Sequence, residues 1–168
     1  MKRLARILEH RWRDETDTAR ALDKAALARL EARVAASERQ HSGEIRLCVE
    51  AGLPLSYLWR RATARQRALA LFGKLQVWDT EHNNGVLIYL LLAEHAIEVV
   101  VDRGLARQVP QAHWDTVVAG LREDLRTGRF ESGLMQSIAA VEAVLLQYYA
   151  VAPGEDNPDE LPNQVDLR

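Results

Sequence analysis

Two apolar runs lie close together in the chain, "GVLIYLLLA" from Gly85 and "AIEVVVD" from Ala96, and they constrain the fold more than any other feature. The first, residues 86–92, shows almost no alternation of polar and apolar side chains, so both of its faces must be covered. It predicts a central strand. The second, residues 97–102, is β-branched and ends on Asp102-Arg103-Gly104. The break between them at Glu94-His95 is too short for a crossover, so the two strands are antiparallel. A tight turn with Ala93 facing Ala96 would pair Leu87 with Asp102 and Gly85 with Gly104.

A third strand is legible upstream, where Glu44-Ile45-Arg46-Leu47-Cys48-Val49-Glu50 alternates with the period of a half-buried strand. Gly52 and Pro54 end it. Thr63 followed by Gln66 then reads as a capping box, opening a helix to Val77 with Leu71, Phe72 and Leu75 on its apolar face. That helix is long enough to join two parallel strands by a right-handed crossover.

Helical periodicity supplies the rest. Residues 2–13 place Leu4, Ile7, Leu8 and Trp12 on one face, an amphipathic helix expected to pack on the domain; its Trp and Arg content also suits a peripheral membrane or partner helix. Asp23 caps a helix through Leu27, Leu30 and Val34 to Gln40. Pro110 opens another through Trp114, Val117, Val118, Leu121 and Leu125 to Gly128, and a last helix turns Phe130, Leu134, Ile138, Val141 and Leu145 inward. The segment 151–168, rich in Pro, Asp and Asn, reads as an extended tail. With 168 residues and neither repeat nor linker, residues 1–150 form one domain, of which 1–14 is the N-terminal helix.

Composition narrows the function. A net charge of −2 lacks the footprint of a general nucleic-acid binder, although "MKRLARILEHRWR" and "YLWRRATARQR" are locally basic. Cys48 is the single cysteine, so no internal disulfide and no cysteine-rich metal site can form. The N-terminus lacks the apolar core of a signal peptide, and the longest apolar run is too short to cross a bilayer; a cytoplasmic chain without an integral membrane segment is expected. No phosphate loop with its Lys and no G-x-G-x-x-G is present. Cys48 has no following phosphate loop and Arg, and His10, His41, His82, His95 and His113 show no metal-ligand spacing.

The hairpin gathers the polar residues that remain. The start of the central strand, the end of its antiparallel partner and the start of the parallel strand share one sheet edge, which collects Ser42, Glu44, Asp79, Glu81, His82, Asn83, Asn84, Asp102 and Arg103. Asp79, Asn83, Asn84, Asp102 and Glu44 are the candidate metal ligands, because hard oxygens of this kind suit calcium or magnesium and would support phosphate hydrolysis around a held metal. The same residues equally make a turn and a soluble edge, since Asn-Asn-Gly turns readily and Asp ends strands. Glu98, inside an apolar strand, requires a partner; Arg46 on the parallel strand is expected to supply it as a structural ion pair.

"SGEIR", "NNGVLIYLLL", "IEVVVDRG" and "GRFESG", in this order between Leu22 and Val144, resemble successive landmarks of the TPM domain family, which has thylakoid-lumen, photosystem II repair and receptor-modulating members. The resemblance implies a three-layer α/β sandwich in which a short mixed sheet, with a parallel crossover and an antiparallel hairpin, lies between helices. It also implies a weak acid phosphatase or calcium-binding activity, with family residues falling on Asp79, Asn83, Asn84, Glu98 and Asp102. Where relatives read Gly-Tyr-Gly after the Ile-Glu-Val strand, this chain has Val100-Val101-Asp102-Arg103-Gly104. Similar cytoplasmic bacterial forms accompany exported relatives and LemA-type membrane proteins. On that basis the chain is expected to be a non-catalytic interaction or regulatory module with a LemA-type or TPM-type membrane protein as partner, in membrane-protein maintenance. The alternative is a weak metal-assisted phosphomonoesterase.

Overall fold

The structure, a computed structural model, describes the backbone of residues 3–12, 15–152, 154–155 and 157–168. Its centre is a four-stranded sheet in the order β3-β2-β1-β4, with β1 at Ile45–Glu50, β2 at Val86–Leu91, β3 at Ala96–Val101 and β4 at Asp166–Leu167. β1 is parallel to β2 and to β4, and β2 is antiparallel to β3. Every residue of β2 is buried, as its unbroken apolar run requires.

The helices cover the sheet on both sides, and strand alternation decides which side chain meets which layer. Ile45, Leu47, Val49, Val86, Ile88, Leu90, Ile97 and Val99 pack on one face. Over them lie α3 (Lys24–Glu38), α7 (Gln111–Gly120), α8 (Arg122–Arg126) and α9 (Phe130–Tyr149), through Leu30, Val34, Trp114, Leu125, Leu134, Ile138 and Val141. Cys48, Leu87, Tyr89, Leu91 and Val100 face the other way, under α4 (Leu55–Trp59) and α5 (Ala64–Lys74). α5 is the parallel crossover, and its capping box is complete: Gln66 N–H donates to Thr63 Oγ1 at 3.2 Å, and Thr63 N–H donates to Gln66 Oε1 at 3.0 Å. The fold is thus a mixed α/β sandwich. No helix among the described residues is long and apolar enough to cross a membrane.

Three expectations need correction. The hairpin register differs by two residues from the tight-turn pairing: Leu87 lies opposite Val100 and Leu91 opposite Ala96. The cause is the connection. Leu92–Glu94 form a single 3₁₀ turn and His95 is left-handed at φ 47°, which lengthens the loop to four residues. A shift of two keeps every side chain on its expected face.

The second correction concerns α1 (Arg3–Arg11), whose stripe does not pack inward as a whole. Ile7 is half-buried against the α5 side, but Leu8 is 57% and Trp12 84% exposed, and Leu4 lies outside the described side chains. The helix docks by polar groups instead. Arg6 pairs with Glu94 at 2.6 Å and donates to the Ala62 carbonyl at 2.7 Å, while buried His10 bonds Glu94 at 3.1 Å and accepts the Leu53 N–H at 2.9 Å. The hairpin turn and the loop after β1 offer unpaired backbone and carboxylate groups, so the polar face of the helix meets them.

Third, Glu98 pairs with Arg65 at 3.7 Å, not with Arg46. One strand, β2, lies between β1 and β3 and keeps them out of contact, and Arg46 donates to the Pro162 and Gln164 carbonyls of the tail. Burial, opposed by Arg65, raises the Glu98 pKa.

The tail is built into the sheet. Leu161 and Val165 are buried, β4 pairs with β1 through Cys48 and Asp166, and Arg168 exchanges backbone hydrogen bonds with Val49 and Ala51.

Candidate functional site at the sheet edge

The loop before β2 and the start of α6 (Arg103–Ala106) meet as the hairpin geometry requires. Asn83 is left-handed at φ 52°, a conformation Asn tolerates, and its carbonyl accepts the Gly104 N–H at 2.9 Å. A side chain on Gly104 would place its Cβ 2.5 Å from that oxygen, so only glycine permits the approach. Gly85 is held more tightly still, since its Cβ would lie 1.9 Å from the Val77 carbonyl. Between them Asn84 is fully buried; its amide donates to the Ser42 carbonyl at 3.0 Å and to Ser42 Oγ at 3.2 Å, and its backbone N–H donates to Thr80 Oγ1.

Asp102 follows β3 and caps α6, with Oδ1 accepting the Arg103 N–H at 2.6 Å. Arg103 Nε donates to Asn83 Oδ1 at 2.7 Å. Two acceptors at this edge, Asp102 Oδ2 and Asn84 Oδ1, are buried and take no hydrogen bond from the described residues. Such oxygens call for a donor or a cation. Two fall far short of the six to eight oxygens that calcium takes, and the Arg103 guanidinium already occupies the Asn83 amide oxygen. A polar cleft of about 400 Å³ opens alongside, lined by Ser42, Glu81, His82, Tyr149, Asn157 and Glu160 among others. Burial, then the nearby Asp102 carboxylate, push the Tyr149 phenol up.

The edge therefore joins Asn83, Asn84, Asp102 and Arg103. Asp79 is exposed in the same loop, with its N–H on the Gln76 carbonyl. Glu44 turns to the tail, where its carboxylate accepts the Glu160 and Leu161 N–H groups at 3.2 Å each. Glu98 sits mid-strand opposite Tyr89. Nucleophilic chemistry finds little here: Cys48 is buried, and burial first, then Asp166 and Glu50, push its thiol up to about 12, leaving no thiolate at neutral pH.

Three polar clusters escaped sequence reasoning. Glu50 is buried under α5, bonded by Arg67 at 2.6 and 2.9 Å and by the Tyr89 hydroxyl at 2.6 Å; its place on the Cys48 face of the alternation is the one signal that could have found it. The Arg6–His10–Glu94 contact and a grouping of Glu38 with Glu44 and Asp159 unite positions too distant in sequence to leave a local mark.

A family profile of the TPM domain matches residues 16–144, more than half of the chain. The chain belongs to the TPM domain family. Among solved structures this TPM domain is similar to the NMR structure of BA42 protein from the psychrophilic bacterium Bizionia argentinensis, with 26% sequence identity and a TM-score of 0.75 over 88% of this chain and 95% of that one. No curated protein matches it. The sheet edge lies within the TPM match, whereas α1 and the tail strap lie outside it.

Proposed function

We propose that the protein is a non-catalytic interaction or regulatory module of the TPM type, acting in the bacterial cytoplasm on a membrane-protein partner of the LemA or TPM kind. The observation that carries this reading is an exposed apolar face on two neighbouring elements. α1 packs against α4, and Leu8 on the first, Trp12 directly after it, and Leu55 and Trp59 on the second are 43–84% exposed. Large aromatic side chains left in water mark contact surfaces, since Trp supplies apolar area at low entropic cost. At the sheet edge, by contrast, Asp102 caps a helix, Arg103 holds a loop and Asn84 ties that loop to Ser42, so these residues have structural work without a nucleophile beside a base.

The alternative is a weak metal-assisted phosphomonoesterase, supported by the unpartnered Asp102 and Asn84 oxygens beside the polar cleft. Co-purification of the full chain from native cells, run beside a phosphatase assay with and without divalent metal, separates the two. A membrane-protein partner retained by the wild type and lost with Trp12→Ser and Trp59→Ser together, with phosphatase turnover at contaminant level, is the expected result. A metal-dependent activity that survives repurification and disappears in Asp102→Asn would overturn the module and establish the enzyme.

A further inference from the structure

Leu8, Trp12, Leu55 and Trp59 share their helical layer with a one-sided balance of charge. Residues 51–78, which run through α4 and α5, carry Arg60, Arg61, Arg65, Arg67 and Lys74 but neither Asp nor Glu, in a chain whose acids outnumber its bases by 24 to 22. Two of these cations turn inward: Arg67 pairs with buried Glu50 at 2.6 Å and Arg65 with Glu98 at 3.7 Å. Arg60, Arg61 and Lys74 are exposed and form no ion pair among the described residues. In the sequence Trp12 stands between Arg11 and Arg13, and Glu9 is the one acid in residues 1–13. Leu69 on α5 and Trp78 after it, 51% and 49% exposed, extend the apolar surface. Of the four Trp only Trp114, in the opposite layer, is buried.

Apolar area alone would suit many partners; positive charge without acids narrows the choice. A protein surface mixes both signs, and a nucleic acid offers phosphates but little apolar area for Leu side chains. An anionic bilayer offers both in one plane. Its headgroup phosphates lie just above acyl chains, Trp settles at that boundary, and Arg and Lys reach the phosphates while their stems stay with the apolar part. Because the net negative charge lies in the rest of the chain, the field of the protein turns this layer toward a negative surface.

We propose that the layer of α1, α4 and α5 docks peripherally on the anionic surface of a lipid bilayer, with Leu8, Trp12, Leu55 and Trp59 entering the headgroup boundary and Arg60, Arg61 and Lys74 meeting lipid phosphates. The proposal rests on the reading of this face as a contact surface and names what the face meets: the lipid around the membrane-protein partner, not that partner itself. A patch of so few side chains binds reversibly, and each cation near an anionic leaflet strengthens the binding roughly fivefold.

The test is sedimentation of the full chain with vesicles of phosphatidylcholine alone and of phosphatidylcholine mixed equally with phosphatidylglycerol, in about 0.1 M and about 1 M salt, with Trp emission read on the same samples. The variants are Arg60→Gln with Arg61→Gln, Trp12→Ser with Trp59→Ser, and Arg122→Gln on the opposite layer; all five side chains are exposed, so each protein should fold. The expected result is salt-sensitive binding to the mixed vesicles alone, with Trp emission shifted to the blue. Binding should fall about tenfold or more in the double Arg variant and stay unchanged in Arg122→Gln, while the double Trp variant loses the emission shift. The proposal fails if the mixed vesicles are not bound, if both vesicle types are bound equally, or if Arg122→Gln weakens binding as much as the double Arg variant. The vesicles contain no protein, so their result is independent of co-purification. A partner retained in lipid-free detergent through Trp12 and Trp59, with vesicles unbound, overturns the lipid and leaves the interaction module standing; vesicle binding without any co-purifying partner keeps the lipid and removes the partner.

Discussion

Asn84 and its two glycine neighbours show how one short motif holds an edge together. Asn84 spans from the loop to Ser42, Gly85 lies against the Val77 carbonyl, and Gly104 lets α6 approach Asn83. Removing a buried amide that makes two hydrogen bonds leaves the Ser42 carbonyl without its donor, so Asn84→Ala should cost about 1–3 kcal/mol. Gly104→Ala forces a Cβ onto two carbonyl oxygens and should cost a similar roughly 1–3 kcal/mol by overpacking. Exposed Asp79→Asn should change stability by less than about 0.5 kcal/mol. Urea unfolding of the three variants checks the ordering; equal stability for Asn84→Ala and Asp79→Asn would show that the edge is not held by Asn84.

The hairpin loop is also the dock for α1, which gives Glu94 an importance its place in a turn does not suggest. The His10 hydrogen bond first, with Arg6 adding to it against the opposing effect of burial, holds the Glu94 carboxyl below the usual carboxylate range. A carboxylate with a depressed folded pKa stabilises above its unfolded value and loses that contribution as pH falls through the folded one. α1 should therefore be docked at neutral pH and released below about pH 4. Amide exchange over residues 6–11, corrected for the intrinsic rate, follows it directly. Glu94→Gln keeps the shape but loses the charge, and should weaken the dock at pH 7 by about 1–3 kcal/mol. If these amides stay equally protected at pH 3.5 and pH 7, the ion pair does not hold the helix.

At the scale of the whole molecule, the strap closes the open side of β1. β4 contributes only two residues, but Leu161 and Val165 add buried apolar area on opposite faces of the sheet. Truncation after residue 156 would remove both side chains and bare the β1 edge. The loss should be roughly 3–6 kcal/mol from apolar burial, with a rise in self-association because an unpaired strand edge templates pairing. Thermal unfolding and light scattering measure both effects. A truncated chain that melts with the full one and stays monomeric would make the strap dispensable.

Wherever the physics is local, the elements could be read directly from the residues. Asp23 and Thr63 cap their helices because a side-chain oxygen reaches an N–H three residues on, and β2 is central because an unbroken apolar run must be covered on both faces. Even the meeting of Asn83 with Asp102 and Arg103 follows from strand order, which survived an error of two residues in register. What depended on three-dimensional assembly was the choice of partner for each charge. Arg46 and Glu98 share a face, yet β2 between their strands sends one to the tail and the other to Arg65. Glu44 looked like an edge ligand until the strap supplied two N–H groups on its other side, and Trp12 looked like core until Arg6 and His10 found Glu94. Hydrophobic periodicity determines which face is buried; a charge binds whatever complementary group the folded chain brings within about 3 Å, and that is a property of the assembled molecule alone.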